Sequence, residues 1–439
     1  MKIFFVSLGC DKNLSDSEHM LYLLHNAGHE ITDFEEEADI FIINSCSFIE
    51  DALKESIDAV LSYVPYKEKG ASIILTGCMA ERFKDEIRKE LPEVDVMVGT
   101  NSYDEIVKAV NDCAENKKTA YFHDFDRLPA QGTKRLLSNA SGYAYLKIAD
   151  GCDKCCTYCA IPSFRGKYRS FPMEDILSEA EFLASQGIKE LILVAQETTL
   201  YGLDIYKKKC LPALLSKLSE IDGIEWIRLL YCYPEEITEE LISEIRDNKK
   251  VLHYIDMPIQ HSSDHVLRSM GRRTDNESLR KLITHLREEI PDITLRTTVI
   301  AGFPGEMKDD HDNLLDFIND MEFDRLGCFK YSKEEGTKAA LMDDQISDSD
   351  KEERFQNIML LEQDILFEKN RKLTGEVMTV MVDGYIPEED VYIARSYRDA
   401  PDVDGYVFFK GSREYMTGDM VKIRVSGSHE YDLLGEEII

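Results

Sequence analysis

The sequence predicts an α/β protein in three parts: an N-terminal doubly wound parallel sheet, a central open partial barrel of six βα units, and a small C-terminal antiparallel β-barrel. In the first third of the 439 residues, short apolar runs alternate with amphipathic segments, which is typical of a parallel sheet covered by helices on both faces. Six strand–helix units follow, and the last 65 residues change to alternating runs separated by glycine turns. We expect domains at residues 1–134, 135–370 and 371–439.

Strands in the first part are predicted from buried runs rich in Ile, Val and Phe. They are Lys2–Leu8, Asp39–Asn44, Ser72–Thr76 and the weaker Val94–Val98. Helices are predicted between them at Leu14–Ala27, Glu50–Val64, Met79–Glu90 and Tyr103–Asn111. Gly28 and Gly70 stand where helix C-caps belong, so the alternation of strand and helix is consistent along this part.

One cysteine follows each of the first three predicted strands: Cys10, Cys46 and Cys78. Because loops after parallel strands emerge along one edge of an open sheet, where such folds bind ligands, we expect the three thiols to lie together. Single buried cysteines are common in protein cores, but the repeated placement favours a metal or iron–sulfur site.

A polar stretch at Asp112–Ser141, which contains Pro129 and Gly132, is predicted to be a linker. The strands predicted beyond it are Tyr143–Ile148, Glu190–Val194, Trp226–Tyr231, Leu252–Met257, Thr294–Ile300 and Arg325–Tyr331. Helices between them include Met173–Ser185, Leu211–Glu220 and Asn276–Glu289. Six units are too few for the closed eight-stranded barrel, so an open one is predicted. A capping box at Ser349–Glu352 opens a long helix that ends before Gly375.

The most informative motif follows the first of these strands. Cys152, Cys156 and Cys159 stand in a C-x3-C-x2-C arrangement, with Cys155 as a spare cysteine. Three thiolates can hold three irons of a cubane cluster and leave the fourth iron open to a small molecule, whereas ordinary ferredoxin clusters use four cysteines. A structural zinc site would need a fourth Cys or His. Zinc, or an inert cysteine-rich loop, is the alternative.

Strands in the last part are predicted at Val377–Val382, Tyr392–Ser396, Tyr406–Phe409 and Met420–Val425. Over the whole chain, 84 acidic residues against 52 basic ones give a net charge of −32, which repels phosphate backbones and attracts basic partners. Eleven cysteines without a signal-peptide pattern indicate a reducing cytoplasm. No apolar run approaches the roughly 18–20 residues that span a bilayer, so no membrane is expected.

The cysteine motif, with Tyr158 before its third cysteine, resembles the radical S-adenosylmethionine superfamily. Three further segments resemble the methylthiotransferases, most closely the branch that acts on an aspartate of the twelfth small-subunit ribosomal protein. They are Gly9-Cys-Asp-Lys-Asn-Leu-Ser-Asp-Ser-Glu18, Tyr145-Leu-Lys-Ile-Ala-Asp-Gly151 and Ala195-Gln-Glu-Thr-Thr-Leu-Tyr-Gly202. The segment Arg395–Gly405 resembles the TRAM domain that ends these enzymes.

This resemblance implies two 4Fe-4S clusters. One is held by Cys152, Cys156 and Cys159, and an auxiliary one is held by Cys10, Cys46 and Cys78. It also implies S-adenosylmethionine as methyl donor and radical source, with sulfide or polysulfide as the sulfur source.

Contacts to S-adenosylmethionine are expected from Tyr158, Gln196, Glu197, Ile300 and Gly302. Two plainer roles stay open: Gln196 or Glu197 could cap the next helix, and the segment containing Gly302 could be an ordinary strand-to-helix turn. No catalytic residue is assigned beyond the cluster ligands.

Three basic residues just after the cysteine motif, Arg165, Lys167 and Arg169, could face the carboxylate of the cofactor. The alternative is an exposed basic loop.

The implied reaction is methylthiolation of the β-carbon of an aspartate in that ribosomal protein, a basic partner met within the assembling subunit, with an electron donor of the flavodoxin or ferredoxin type. The first alternative is methylthiolation of a modified adenosine in tRNA. From Gly375 onward, however, 14 acidic and 6 basic residues give a net charge of −8, and binding to phosphates needs the opposite sign. An alternative from another class is a two-cluster electron carrier, whose clusters would be fully ligated by cysteine.

Overall fold

The computed structural model describes residues 1–129, 134–138 and 142–438. Part of the predicted linker, including Gly132, therefore lies outside the described residues. Among the helices described, none has both the length and the apolar character needed to cross a bilayer.

The N-terminal part is a six-stranded parallel sheet with helices on both faces. Its strands are β1 (Lys2–Ser7), β2 (Glu30–Ile31), β3 (Ile40–Ser45), β4 (Ser72–Gly77), β5 (Val96–Val98) and β6 (Thr119–Tyr121). Its helices are α1 (Asp11–Asn26), α2 (Glu50–Lys67), α3 (Cys78–Arg82), α4 (Lys84–Glu90) and α5 (Ile106–Ala114). The strand order is β2-β1-β3-β4-β5-β6.

The central strand β3 shows why both faces are covered. Its residues alternate in direction, so that Ile40 and Ile42 pack with the side chains of α1 and α5. Phe41 and Ile43 pack on the other face, with residues of α2, α3 and α4. The predicted doubly wound arrangement is confirmed.

Two local predictions differ from the structure. The helix expected over Met79–Glu90 is two short helices, because Phe83 leaves the helical conformation at φ −119° and ψ 38°. The edge strands β2 and β6 are only two and three residues long, and runs this short give no clear periodicity.

The central part is an open sheet of six parallel strands. The six are β7 (Tyr143–Lys147), β10 (Glu190–Val194), β11 (Trp226–Leu229), β12 (Val251–Asp256), β13 (Thr294–Ala301) and β14 (Arg325–Lys330). Two short strands, β8 (Ala149–Asp150) and β9 (Arg169–Ser170), lie outside this sheet. Its helices are α6 (Ile161–Arg165), α7 (Met173–Ser185), α8 (Leu203–Tyr206), α9 (Leu211–Ser219), α10 (Glu239–Asp247), α11 (Asp264–Met270), α12 (Asn276–Glu289), α13 (Lys308–Met321) and α14 (Asp348–Lys372).

The main strands of this part run in the order β14-β13-β12-β11-β10-β7, while β8 and β9 form a separate two-stranded ribbon. The two edge strands, β7 and β14, do not pair with each other in the part of the chain described. The barrel is therefore open, as predicted.

The N-cap of the long helix α14 lies two residues before the predicted one. Ser347, not Ser349, is the N-cap, and its hydroxyl accepts a hydrogen bond from the amide of Asp350. Either serine satisfies the local pattern, and the structure selects the earlier one.

The C-terminal part is a closed five-stranded barrel. Its strands are β15 (Val377–Ile386), β16 (Val391–Ser396), β17 (Val407–Lys410), β18 (Met420–His429) and β19 (Asp432–Glu437). They close in the order β15-β16-β17-β19-β18. All pairs are antiparallel except β17 with β19, and β19 is a strand that the sequence pattern did not predict.

This small barrel sits against the amino ends of the central strands. Arg395 bonds to Glu190, the first residue of β10, and Asp399 bonds to Arg325, the first residue of β14. The carboxyl ends of the central strands, which carry the cysteine motif, are at the opposite end of the sheet.

Candidate functional site

Three cysteines lie along one edge of the N-terminal sheet. Cys10 precedes α1, Cys46 directly follows β3, and Cys78 is the first residue of α3 directly after β4. Cys10 is exposed, whereas Cys46 and Cys78 are buried. The loops after three neighbouring parallel strands thus bring together thiols that are far apart in sequence.

Close approach of these loops depends on glycine. Gly9 has φ +86°, and a Cβ there would lie 2.6 Å from Cβ and 2.8 Å from Sγ of Cys46. Burial raises the pKa of Cys78 to about 12; Arg165 opposes that rise, while the thiolates of Cys46 and Cys10 add to it. These three thiols, the auxiliary triad, are therefore electrostatic neighbours.

The second group of thiols lies beyond the carboxyl end of β7, in the loop that connects β8 to β9. Cys152 and Cys156 are buried and Cys159 is half-buried. The loop is closed by hydrogen bonds from the amide of Cys152 to the carbonyl of Gly166 (3.1 Å) and from the amide of Cys159 to the carbonyl of Cys156 (3.1 Å). We call these three cysteines the barrel triad.

Gly151 makes the turn into the barrel triad possible. Its φ is +78°, and a Cβ there would lie 2.1 Å from the carbonyl oxygen of Lys167. Burial raises the pKa of both Cys152 and Cys159 to about 12. The spare Cys155 is exposed, with φ +54°.

Within residues 1–129, 134–138 and 142–438, no three His, Cys, Asp or Glu side chains converge as they would around a single metal ion. Ligands of a cluster bind different irons and are spaced more widely than ligands that share one ion. Each triad has the three thiols that such a cluster would need.

One thiol of the auxiliary triad lies close to the barrel triad at the interface between the domains. Cys78 of the auxiliary triad packs in one apolar cluster with Ala160 and Phe164, and Ala160 directly follows Cys159. Arg82 of α3 donates to the carbonyl of Ser47 at 2.6 Å and to the carboxylate of Glu334 at 2.9 Å. These contacts fix the N-terminal sheet to the open barrel beside both triads.

Two of the predicted cofactor contacts lie at the carboxyl end of β10. Glu197 is fully buried, and burial raises the pKa of its carboxyl group to about 7. One oxygen accepts from the amide of Thr199 at 3.0 Å, so Glu197 does stabilise the following turn. Its Oε2, and Oε1 of Gln196, have no hydrogen-bond partner among the described residues.

The other predicted contacts lie in one apolar cluster or next to it. Tyr158 packs edge-to-face on Phe303 with ring centroids 6.5 Å apart, and Ile300 belongs to the same cluster. Gly302 has φ +75°, and a Cβ there would lie 2.3 Å from Cγ of Lys351. A side chain at this position would clash with Lys351 of α14, which is one reason for glycine here.

Lys154, Tyr233 and Arg272 were missed because isolated residues in loops carry no sequence signal. The hydroxyl of Tyr233 lies 3.9 Å from Sγ of Cys156, and the guanidinium of Arg272 lies 4.2 Å from the centre of the Tyr233 ring. Lys154 is 3.7 Å from the free oxygen of Glu197. All three lie around the barrel triad.

Of the three basic residues after the motif, Arg165 and Arg169 are buried and only Lys167 is exposed. The alternative of an exposed basic loop is therefore wrong for the two arginines. Arg165 instead points across the domain interface, with Nη2 3.3 Å from Sγ of Cys78.

Polar atoms without partners provide a test of whether S-adenosylmethionine fits beside the barrel triad. Arg272 keeps Nε and Nη1 buried with no hydrogen-bond partner in the described part of the chain. Gln196 and Glu197 each keep one buried oxygen without a hydrogen bond, although Lys154 lies 3.7 Å from that of Glu197. Buried polar groups normally have partners. Donors and acceptors left over in this way match the carboxylate and ammonium groups of an amino acid.

Three family models match the chain in succession. Residues 2–99 match the family described as uncharacterized protein family UPF0004, residues 146–318 match the radical SAM superfamily, and residues 374–438 match the TRAM domain.

Curated relatives match over almost the whole length. A protein of Lachnoclostridium phytofermentans named ribosomal protein uS12 methylthiotransferase RimO is 52% identical over 437 residues, covering 99% of each chain. Proteins of the same name are 50% identical in Acetivibrio thermocellus, over 100% of this chain and 98% of the relative, and 47% identical in Clostridium tetani, over 99% and 98%.

Solved structures share the fold at low identity. The radical S-adenosylmethionine methyltransferase TsrM from Kitasatospora setae, with cobalamin and a [4Fe-4S] cluster bound, gives a TM-score of 0.55 at 14% identity, over 75% of this chain and 74% of that chain. The cobalamin-dependent S-adenosylmethionine radical enzyme OxsB gives 0.53 at 12% identity, over 82% and 56%.

Proposed function

The chain belongs to the family of ribosomal protein uS12 methylthiotransferases, and from this premise we propose that it attaches a methylthio group to the β-carbon of an aspartate of uS12, the twelfth protein of the small subunit. It is a radical S-adenosylmethionine enzyme, and identity near 50% over the full length of its relatives supports uS12 as its substrate. The observation that carries the proposal is the packing of Cys78, a thiol of the auxiliary triad, beside Ala160, which directly follows the last cysteine of the barrel triad.

In this proposal the barrel triad and the auxiliary triad each hold a 4Fe-4S cluster through three thiolates, with sulfide or polysulfide as the sulfur source. When bound, the clusters and S-adenosylmethionine supply the methyl group, the sulfur and the radical chemistry that opens an unactivated C–H bond. Polar acid–base chemistry alone does not open such a bond at neutral pH.

The side chains of this enzyme bind and orient. Arg272 would hold the carboxylate of S-adenosylmethionine with its two free nitrogens, and Gln196 and Glu197 would accept from its ammonium group. The edge-to-face pair of Tyr158 and Phe303 forms an apolar wall. Cys46, Cys78, Cys152 and Cys156 are buried, and burial of most of the thiols limits the access of bulk water to reactive intermediates.

Charge supports a basic protein as the partner. The chain carries a net charge of −32, and complementary charge chiefly accelerates association. We propose that uS12 is modified within the assembling subunit in the reducing cytoplasm, with electrons from a flavodoxin- or ferredoxin-type protein.

The experiment that tests this function offers the enzyme two substrates. Reconstituted enzyme is incubated anaerobically with reductant, S-adenosylmethionine and sulfide, together with either uS12 or total tRNA. A mass increase of about 46 Da, one SCH3 replacing one H, is expected on an aspartate of uS12 and not on tRNA. An increase on tRNA alone would instead identify a tRNA methylthiotransferase. No increase on either substrate, together with no cleavage of S-adenosylmethionine by the reduced protein, would support an electron carrier.

A further inference from the structure

Arg165 lies in the open barrel but contacts the auxiliary triad of the other domain. It is the last residue of α6 and is 2% exposed. Its two terminal nitrogens are held by four groups: Asp16 Oδ2 at 2.9 Å and Asp150 Oδ2 at 3.3 Å from Nη1, and Asn13 Oδ1 at 2.6 Å and Cys78 Sγ at 3.3 Å from Nη2. We call this arrangement the Arg165 bridge.

Asn13 fixes the direction in which the Nη2 group of Arg165 points toward the sulfur of Cys78. Asn13 donates through Nδ2 to the carbonyls of Leu8 at 3.0 Å and Ser45 at 2.9 Å. Its Oδ1 is thereby left as an acceptor aimed at Arg165. The planar guanidinium, fixed at one end by this amide, must then present its remaining Nη2 hydrogen toward Cys78.

Local charge leaves this hydrogen bond effective. Lys147 also contacts Asp16 and Asp150, so the two carboxylates of the bridge are balanced by two cations. Arg165 stays ionised in this balanced group, so a negatively charged cluster on the auxiliary triad would face a charge-assisted N–H donor.

We infer that Arg165 is a positioning residue that raises the reduction potential of the auxiliary cluster by donating a hydrogen bond to the sulfur of Cys78. The inference rests on the proposed function, because it assumes a cluster on Cys10, Cys46 and Cys78. Hydrogen bonds to cluster sulfurs and nearby positive charge stabilise the more negative, reduced state.

The bridge also connects the two triads. Asp150 accepts from the amide of Gly151 at 2.9 Å, and Gly151 directly precedes Cys152. Three buried hydrogen bonds, Cys78–Arg165, Arg165–Asp150 and Asp150–Gly151, thus run from a thiol of the auxiliary triad to the loop of the barrel triad. A residue of the open barrel is therefore in contact with the site of the other domain.

A background chain isolates the auxiliary cluster for the test. In full-length protein with Cys152, Cys156 and Cys159 changed to alanine, reconstitution loads only the auxiliary site, and the reduced fraction is followed by electron paramagnetic resonance during a redox titration. Arg165→Met in this background is expected to lower the ratio of reduced to oxidised cluster about tenfold at fixed potential, a shift of about 59 mV for one electron.

Two further variants distinguish tuning from a structural role. Arg165→Lys keeps the charge but loses the planar fork, and it should lower the ratio less, in the same direction. Asp16→Asn breaks the same interdomain ion pair but removes a negative charge, and it should raise the ratio. A purely structural bridge would give Asp16→Asn and Arg165→Met shifts of the same sign.

The results separate the inference from the proposed function. If the background chain binds no iron, both are wrong. If it binds a cluster whose midpoint is unchanged by Arg165→Met, only the inference is wrong. Should Arg165→Met fail to fold, an unchanged midpoint in Arg165→Lys overturns the inference.

Discussion

Replacing Arg395 by methionine should destabilise the interface between the C-terminal barrel and the open barrel. Arg395 is fully buried and donates to Glu190 at 2.8 Å, to both oxygens of Asp383 at 2.6 and 3.1 Å, and to the carbonyl of Asp399 at 3.3 Å. Glu190 is also fully buried, and its other oxygen accepts from Arg228 at 2.7 Å. The substitution thus leaves Glu190 with one cation and removes the cation that faces Asp383.

The expected loss follows from these contacts. Removing one partner of a buried ion pair typically costs about 3–5 kcal/mol, because the remaining charge is left uncompensated. Methionine fills most of the volume of the arginine stem, so the cavity adds little. We expect the free energy of unfolding of the interface to fall by about 3 kcal/mol or more.

The only tryptophan of the chain reports on this interface. Trp226 packs in a cluster that includes Met381 and Ala400 of the C-terminal part. Urea unfolding followed by its fluorescence gives the free energy directly. The matched control is Arg413→Met, an exposed arginine of the same small barrel, which should change stability by no more than about 0.5 kcal/mol. If Arg395→Met loses no more stability than this control, the buried network does not hold the barrels together.

Three further predictions test the barrel triad and helix α14. Gly151→Ala should prevent cluster binding by the barrel triad, so an iron assay should find about four fewer irons per chain. The control is Gly187→Ala, which should retain full iron because Gly187 also has a positive φ but has open space around it. Ser347→Ala should lower the free energy of unfolding in urea by about 1 kcal/mol, and Ser349→Ala should lower it by clearly less. A larger loss in Ser349→Ala would show that Ser349 is the N-cap, as the sequence pattern predicted. Burial raises the pKa of Glu362 from 4.5 to about 7. Between these pH values the folded state binds more protons than the unfolded state, so the protein loses stability as the pH rises from 4.5 to 7. Glu362→Gln should therefore match the parent near pH 4 and exceed its stability by about 3 kcal/mol above pH 7, and a pH-independent difference would contradict this assignment.

Sequence patterns predicted the strands that have a long apolar or alternating run. Strand β3 is buried along its whole length, and its apolar run was recognised as a strand on that basis. The two-residue strand β2 and the strand β19, in which only Leu433 is buried, lack this signal. The break at Phe83 depends on packing of the chain around α3, which no local pattern encodes.

The sequence predicted those parts of the candidate site that follow from the order of the strands. Cysteines after neighbouring parallel strands must approach one another at one sheet edge, so Cys10, Cys46 and Cys78 could be grouped from the sequence. The contact between Arg165 and Cys78 depends on how two domains dock, and the contact between Arg272 and Tyr233 depends on how two loops fold. Neither has a spacing in the sequence that would reveal it.

Mass spectrometry of uS12 after incubation with Cys46→Ala enzyme tests the requirement for two triads most directly. The parent enzyme should add about 46 Da to uS12. Cys46→Ala should add nothing, while Cys155→Ala, which changes the exposed spare cysteine, should act like the parent. Full methylthiolation by the Cys46→Ala enzyme would contradict the account.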